Sequence, residues 1–166
     1  MSDWRGIEVF ATFMKVTGEV EVIPPDRITD SVNRFGNYLT LRRGRVEPLS
    51  INYPVLSRLE ETTTLRKSAV ILLCPSDDES TGNRAMWRAK TAHAVAINTQ
   101  AFSLVGDVHL DHRHTMEDHL ERYPGDFIPI TNLSALWVAA SGTETHSVQR
   151  PFALLNPATI LSFSPR

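Results

Sequence analysis

The sequence is poor in cysteine and contains no long apolar run. Cys74 is the one cysteine among the 166 residues, which excludes an internal disulfide and a metal site built from several thiolates. The longest apolar run, residues 69–74, has the length of a strand, whereas a membrane-spanning helix needs about 18 apolar residues or more. Residues 1–10 include an aspartate and an arginine where a signal peptide would carry an apolar segment. We therefore expect a cytoplasmic protein without a membrane span.

The chain also lacks an excess of charge of either sign. Its 17 Lys and Arg residues and 19 Asp and Glu residues leave a formal net charge of −2 at pH 7. No bulk electrostatic field therefore draws the chain to nucleic acid or to anionic lipid. The hydrophobic fraction of 42% is ordinary for a globular protein, and the chain is long enough to bury a sizeable core.

The most informative pattern that is present is an internal repeat, in which Gly18 aligns with Gly106 and Pro75 with Pro165. The matching pairs of segments are 16–32 with 104–120, 37–41 with 126–130, and 65–75 with 154–165. Glycine, alternating strand, acidic helix start, apolar strand and terminal proline follow in the same order, which we interpret as a tandem duplication. The predicted parts are a first β unit at 6–75, a linker with a candidate short helix at 76–93, and a second, diverged β unit at 94–165.

Each unit has the local patterns of a small β-domain. Val20 and Val22 alternate with glutamates, which predicts a strand whose valines face the core. Thr115 stands three residues before Asp118, a spacing typical of the start of a short helix. The predicted fold class is mainly β with short helices: two tandem small β-barrel or bent-sheet units related by pseudo-twofold symmetry. Each unit is expected to contain about five strands and one short helix.

Two segments resemble those of Sm-like small β-barrels. "LRKSAVILLCP" at 65–75 is similar to the second signature of those barrels, and "VTGEVEV" at 16–22 is similar to their glycine-containing opening. The units also resemble an uncharacterised group of bacterial small β-domains. The Sm-like resemblance implies a small barrel that binds RNA. Two features differ from that pattern, since the predicted helix follows the second strand, and Asp30 and Asn33 fall on this helix rather than at a base-binding position.

Three arginines form the one basic cluster of the sequence. Arg42, Arg43 and Arg45 surround Gly44, and we expect them to project from a hairpin tip between two strands. There they would either keep the turn solvated or bind the carboxylates of a protein partner. RNA phosphates are the alternative, which is weaker because few aromatic residues lie among the arginines. Trp87, in the linker, is a further candidate for packing against the units or a partner.

Histidines crowd the second unit between residues 108 and 127. Asp111, His112 and His114 are candidate metal ligands, because a loop could bring one carboxylate and two imidazoles together. No histidine occupies the aligned positions of the first unit, so the fold itself does not require them. A solvated polar loop and a pH-responsive surface are the other interpretations of this cluster.

The motifs of common enzymes are missing from both units. The sequence contains no nucleophile elbow, phosphate-binding loop or HExxH pattern, and we expect no catalytic residue and no cofactor. The favoured interpretation is a non-catalytic assembly or adaptor protein, a subunit or accessory factor of a larger cytoplasmic complex. Its partners would be proteins, with a homo-oligomer as one form of assembly. The alternatives are an Sm-like RNA-binding protein and a metal- or pH-responsive protein.

Overall fold

The chain folds into a mainly β structure, as the sequence predicts. The computed structural model describes residues 1–34, 36–49, 55–76, 90–138 and 143–166. The strands are β1 Asp3–Ala11, β2 Met14–Val22, β3 Tyr38–Pro48, β4 Arg58–Arg66, β5 Val70–Pro75, β6 Lys90–Thr99, β7 Ser103–Asp111, β8 Ile128–Val138, β9 Thr145–Leu155 and β10 Ile160–Pro165. Two short helices, α1 Ile28–Val32 and α2 Met116–Arg122, follow β2 and β7. Single 3-10 turns, Lys67–Ala69 and Pro157–Thr159, precede β5 and β10. Among these residues no helix is both long and apolar enough to cross a membrane.

All ten strands belong to one open antiparallel sheet. Its order is β10-β6-β7-β8-β9-β5-β1-β2-β3-β4. Strands β1 to β5 make up one half of this sheet and β6 to β10 the other, and the two halves meet where β9 pairs with β5. Strands β4 and β10 therefore form the two edges of the sheet.

The strand order does not confirm the predicted pseudo-twofold relation between the halves. A twofold axis at a single junction would place identical strands beside each other, either the two last strands or the two fourth strands. The sheet instead joins the fourth strand of one half, β9, to the fifth strand of the other, β5. The halves are therefore arranged head to tail, and each end of the sheet exposes a different kind of edge.

The pairing register is the same in both halves. Ile7 lies opposite Gly18 and Pro75, and its counterpart Val95 lies opposite Gly106 and Pro165. Each half also has a bulge at its glycine, where the register shifts between β2 and β3 or between β7 and β8. The residue that takes positive φ near each bulge is Arg43 at 51° or Asn132 at 52°. A glycine before an alternating segment predicts either a bulge or a sharp bend between strands, and the structure has the bulge, inside a strand.

Residues 8–16, whose β-branched and aromatic side chains predict a strand, are divided between two strands. The sequence pattern around residues 8–16 favours one continuous strand, but β1 ends at Ala11 and β2 begins at Met14. The chain reverses at residues 12–13, so that both flanking apolar segments pack side by side. The helix predicted near 84–90 lies mostly outside the described residues, and β6 begins at Lys90.

Two hydrophobic cores lie on opposite faces of the junction between β9 and β5, and each contains residues from both halves. Leu72 and Leu155 belong to one core, while the adjacent Leu73 and Leu154 belong to the other. Successive side chains of a strand point to opposite faces, which explains this division. The predicted inward valines of β2 are buried as well. Because β5 is covered on both faces, its sequence is a continuous apolar run.

Gly106 allows β7 to approach β8 at the bulge. A Cβ atom at this position would lie 2.8 Å from Ile130 Cδ1 and 3.0 Å from the Thr131 carbonyl oxygen. Ile130 is fully buried and has little room to move. We expect Gly106→Ala to lower the free energy of unfolding by about 1–3 kcal/mol in a denaturant titration. Ser103→Ala, at an exposed position of the same strand, is the control and should change it by less than about 0.5 kcal/mol. Equal stability of both variants would show that the close approach is not required.

Candidate assembly interface

The junction between the halves is the pairing of β5 with β9 and the side chains that cross it. Leu72 lies opposite Leu155, and Leu73 lies opposite Leu154. All four side chains are fully buried. Burial of a leucine side chain contributes about 1.5–3 kcal/mol, so these four residues form a strong apolar contact. The junction therefore shows how one half of this sheet binds the other.

A bidentate ion pair crosses the junction on one face. Arg150 of β9 donates from Nε to Glu8 Oε2 at 2.8 Å and from Nη2 to Glu8 Oε1 at 3.1 Å. Lys15 lies 2.7 Å from the same carboxylate. Burial raises the pKa of Glu8, but the hydrogen bonds from Arg150 and Lys15 outweigh it, and the pKa lies below its ordinary value. Two planar hydrogen bonds between an arginine and a carboxylate fix the relative position of the halves.

Polar side chains form hydrogen bonds across one end of the junction. Asn33 accepts the backbone N–H of Phe127 at 2.8 Å and donates to the Phe127 carbonyl at 3.1 Å. The buried Asn156 donates to the Val70 carbonyl at 2.9 Å. The Lys67 ammonium donates to Asp126 at 3.0 Å. Each of these bonds joins the first half of the chain to the second, so the ends of β5 and β9 cannot separate without losing them.

The two edges are the counterparts of the strands that form the junction. The edge strand β10 corresponds to β5, and the edge strand β4 corresponds to β9, because each pair occupies the same place in its half. Ile71 in β5 is 1% exposed, whereas its counterpart Leu161 in β10 is 67% exposed. Leu59 in β4 is 79% exposed. Leu161 is therefore exposed at a position that is buried in β5, whereas the counterpart of Leu59 is Gln149, which is also exposed in β9.

The arginine cluster lies within a strand, and the prediction of a hairpin tip is wrong. Strand β3 runs unbroken through Arg42, Arg43 and Arg45, because Gly44 pairs with β4 instead of forming a turn. Arg42 Nε lies 2.6 Å from Glu19 Oε2, and Arg43 lies 3.6 Å from Oε1 of that carboxylate. The Arg42 guanidinium also covers the Trp4 ring at 4.0 Å. Arg45 lies 3.5 Å from a glutamate of its own strand. Arg42 is therefore held within the sheet, whereas Arg43 and Arg45 are mostly exposed and their ion pairs are weak.

The predicted metal ligands do not converge. The carboxylate of Asp111, at the end of β7, lies 3.9 Å from the imidazole of His114 in the loop that follows. In the part of the chain that the structure describes, no group of three His, Cys, Asp or Glu side chains is placed to hold a metal ion, so His112 does not complete a site with them. His109 is held on its strand by a 2.8 Å hydrogen bond with Thr131. Neighbouring histidines in the sequence thus belong to different environments in the fold.

His119 differs from the other histidines because α2 buries it against Tyr123, with ring centroids 5.4 Å apart. Helix α2 begins as the sequence predicts, with the Thr115 hydroxyl accepting the Asp118 N–H at 3.2 Å. Burial lowers the pKa of His119, and the charges of Lys90 and His114 act in the same direction, while Asp111 opposes them.

A cavity of about 560 Å³ opens between the two 3-10 turns at the junction. Tyr38, Arg66, Lys67 and Asp126 are among its lining residues. The ammonium of Lys67 is used inside the fold, since it donates to the Arg34 carbonyl at 2.7 Å and to Asp126. The Arg66 guanidinium lies over the Tyr38 ring at 5.9 Å. The cavity therefore belongs to the junction, where one half of the chain is seated on the other.

Cys74 lies inside the junction and is fully buried. Burial, together with the charge of Glu8, raises the pKa of its thiol to about 12. A thiol with so high a pKa has almost no thiolate at neutral pH and reacts slowly. The residue packs as a small apolar side chain.

Sequence reasoning missed the residues that hold the junction. Glu8 is a charged residue between two apolar ones in its strand, which is a signal for a buried partner. Its partner Arg150 is 142 positions away, and neither residue has a charged counterpart of the same kind in the other half. Only the strand order brings them together. Trp87, which we predicted to bind a partner, lies outside the described residues.

Comparisons of the chain with protein-family models, with curated proteins and with solved structures found no match. No relative therefore supplies a function, and the junction and the two edges are the features that support one.

Removal of Arg150 tests the ion pair. We expect Arg150→Ala to lower the free energy of unfolding by about 1–3 kcal/mol at pH 7, because the partly buried Glu8 loses its main partner. The pKa of Glu8 is lower in the folded chain than its ordinary value of 4.5, so the ionised carboxylate stabilises the fold at pH values above 4.5. This stabilisation is lost as the pH falls through the lower pKa of the folded chain. The difference between variant and parent should therefore shrink in acid. Arg45→Ala, at an exposed ion pair, is the control in the same pH series of denaturant titrations. A difference that does not change with pH would contradict the role of Glu8.

His119 should make the fold less stable in mild acid. The pKa of His119 in the folded chain lies below the ordinary value of 6.5. As the pH falls, the unfolded chain therefore binds a proton at this residue before the folded chain does, and the free energy of unfolding decreases below about pH 6.5. We expect His119→Phe, which keeps the ring packing, to lose less stability than the parent between pH 7.5 and 5.5. His112→Gln, in the exposed loop, is the control and should follow the parent. Parallel curves for all three proteins in denaturant titrations would contradict the assignment.

Proposed function

We propose that the chain is a non-catalytic assembly or adaptor protein that binds partner proteins by strand addition at its two edges. The observation that carries this proposal is that β4 and β10 both lie at open ends of the sheet. An edge strand presents unpaired N–H and C=O groups that another strand can pair with. The chain would act as a subunit or accessory factor of a larger cytoplasmic complex.

The shared register of the two halves supports a tandem duplication with units at 6–75 and 94–165. Each unit then corresponds to one small bent sheet of five strands and a short helix, similar in plan to a small barrel. If the two units are copies that bind each other through β5 and β9, then the corresponding strands β10 and β4 are left at the two ends of the sheet. Each of them can bind a further strand. A partner strand would bind at an edge in the way that β9 binds β5 at the junction.

The chemistry of the two edges supports two different partners or two different contacts. Strand β4 carries Glu60 and Glu61 between flanking arginines, whereas β10 carries serines, Leu161 and Phe163. Charges on an edge prevent pairing with unrelated strands, so a partner must match them. The hydrogen bond of Arg42 to Glu19 favours protein binding over RNA binding, since a phosphate would compete with this existing ion pair.

Capture of partners from native cytoplasm, after nuclease treatment and with mass spectrometry, tests the function. We expect the parent protein to retain a defined set of proteins, and Leu59→Lys and Leu161→Lys to lose at least part of it, because a lysine added to an edge strand opposes the pairing of a further strand. Both leucines are highly exposed, so the variants should fold as the parent does.

Ile23→Lys, an exposed apolar position outside both edges, is the matched control and should retain the whole set. The proposal fails if the edge variants capture the same proteins as the parent, or if capture disappears with nuclease. Recovery of further copies of the chain itself counts as a partner, provided that the edge variants lose it.

A further inference from the structure

We propose that the partner at each edge is a second copy of this chain, with β4 of one copy paired to β10 of the next, head to tail. This inference rests on the proposed function, since it names the occupant of the same edges. Copies joined in this way repeat the junction between the halves, and every added copy presents the next pair of edges. A heterologous contact of this kind forms either a closed ring or an open series.

The register of the sheet makes the two edges positional counterparts of the junction. Leu65 of β4 lies opposite Leu39 of β3, as Leu155 of β9 lies opposite Ile128 of β8. Strand β10 likewise pairs with β6 in the register in which β5 pairs with β1, including the same irregularity near the start of each last strand. The contact between copies would therefore follow the junction residue by residue.

Three positions define the expected pairing between copies. Because Leu72 faces Leu155 in the junction, Ser162 of one copy would face Leu65 of the next. Because Leu73 faces Leu154 in the junction, Phe163 of one copy would face Thr64 of the next. The backbone N–H of Asn156 donates to the Ile71 carbonyl at 2.9 Å, and its counterpart is the N–H of Arg66 donating to the Leu161 carbonyl. Leu161, exposed in a single copy, would then take the buried place of Ile71.

Charge complementarity supports a second copy as the occupant. In the junction, Ser76 lies in one groove with Arg150 and Pro151. Ser76 follows β5 and donates its N–H to the Gly6 carbonyl, just as Arg166 follows β10 and donates to the Ala94 carbonyl.

The counterparts of Arg150 and Pro151 are Glu60 and Glu61, since Glu60 pairs with Gly44 as Arg150 pairs with Leu133. Arg166 of one copy would thus meet Glu60 and Glu61 of the next. Glu60 contacts Arg58 at 2.8 Å within its own strand, and both side chains are about half exposed, so it can turn to a new partner at little cost.

The contact between copies should be weaker than the junction and sensitive to salt. Ser162 replaces Leu72 and Thr64 replaces Leu154, so neither leucine pair of the junction is kept. Ala96 stands where Glu8 accepts the arginine. Surface ion pairs between exposed groups are screened by salt. Assembly is therefore expected to depend on protein concentration and to decrease at 1 M salt relative to about 0.15 M.

Reversal of the charges tests the contact on the purified chain by size-exclusion chromatography with light scattering. We expect the parent to form species heavier than the 18.6 kDa chain. Glu60→Arg with Glu61→Arg should abolish them because like charges meet, and Arg166→Glu should do the same. Mixing these two variants should restore assembly, since each supplies the charge that the other needs. Glu117→Arg, an exposed change on α2, is the control and should assemble as the parent does.

Disulfide formation tests the register. An Arg66→Cys chain mixed with a Leu161→Cys chain should give a crosslinked pair under oxidation, because paired residues of neighbouring strands lie within disulfide reach. Arg58→Cys in place of Arg66→Cys lies at the other end of β4 and should give at least tenfold less. Cys74 is buried and does not compete.

A parent that stays monomeric at all concentrations would overturn the inference, as would charge variants that assemble like the parent or fail to restore assembly when mixed. Equal crosslinking from both ends of β4 would also overturn it. If the parent is monomeric while Leu59→Lys and Leu161→Lys still lose captured proteins, the proposed function stands and only the self-assembly is wrong.

Discussion

The pairing of β5 with β9 is the constraint on which the rest of the structure depends. Because adjacent residues of a strand face opposite sides, two leucine pairs at one junction supply both hydrophobic cores. Neither core is complete within one half of the chain. The ion pair between Glu8 and Arg150 and the bonds of Asn33 and Asn156 then fix how the halves sit on each other. Loss of this pairing would expose apolar surface on both faces of the sheet at once.

The same two kinds of strand meet at the junction and remain open at the edges, but their surfaces differ. Inside the chain the contact is apolar and permanent, with Leu72 and Leu73 buried. At the edges the corresponding residues are Ser162 and Phe163, and the opposing edge carries Glu60 and its neighbours. The proposed assembly would require such a difference, because charges on an edge strand prevent pairing with strands that do not match them.

Residues that cluster in the sequence do not form a cluster of function in the fold. Arg42 and Arg43 are adjacent in the sequence, yet Arg42 is bound to Glu19 on the neighbouring strand while Arg43 stays mostly exposed. Asp111 and His114 approach each other, while His119 turns into the protein on α2. Strand and helix periodicity send close neighbours in different directions, so proximity along the chain is a poor guide to shared chemistry.

The sequence by itself determined the mainly β character, the inward valines of β2, the glycine bulge and the cap of α2, because these follow from local periodicity and local hydrogen bonds. It also indicated that the chain repeats one pattern of elements. The head-to-tail order of the halves, the turn inside the first predicted strand and the pair of Glu8 with Arg150 were decided by the tertiary structure. Those features depend on which strand edges meet, and that choice is made by the burial of distant side chains, which no short segment encodes.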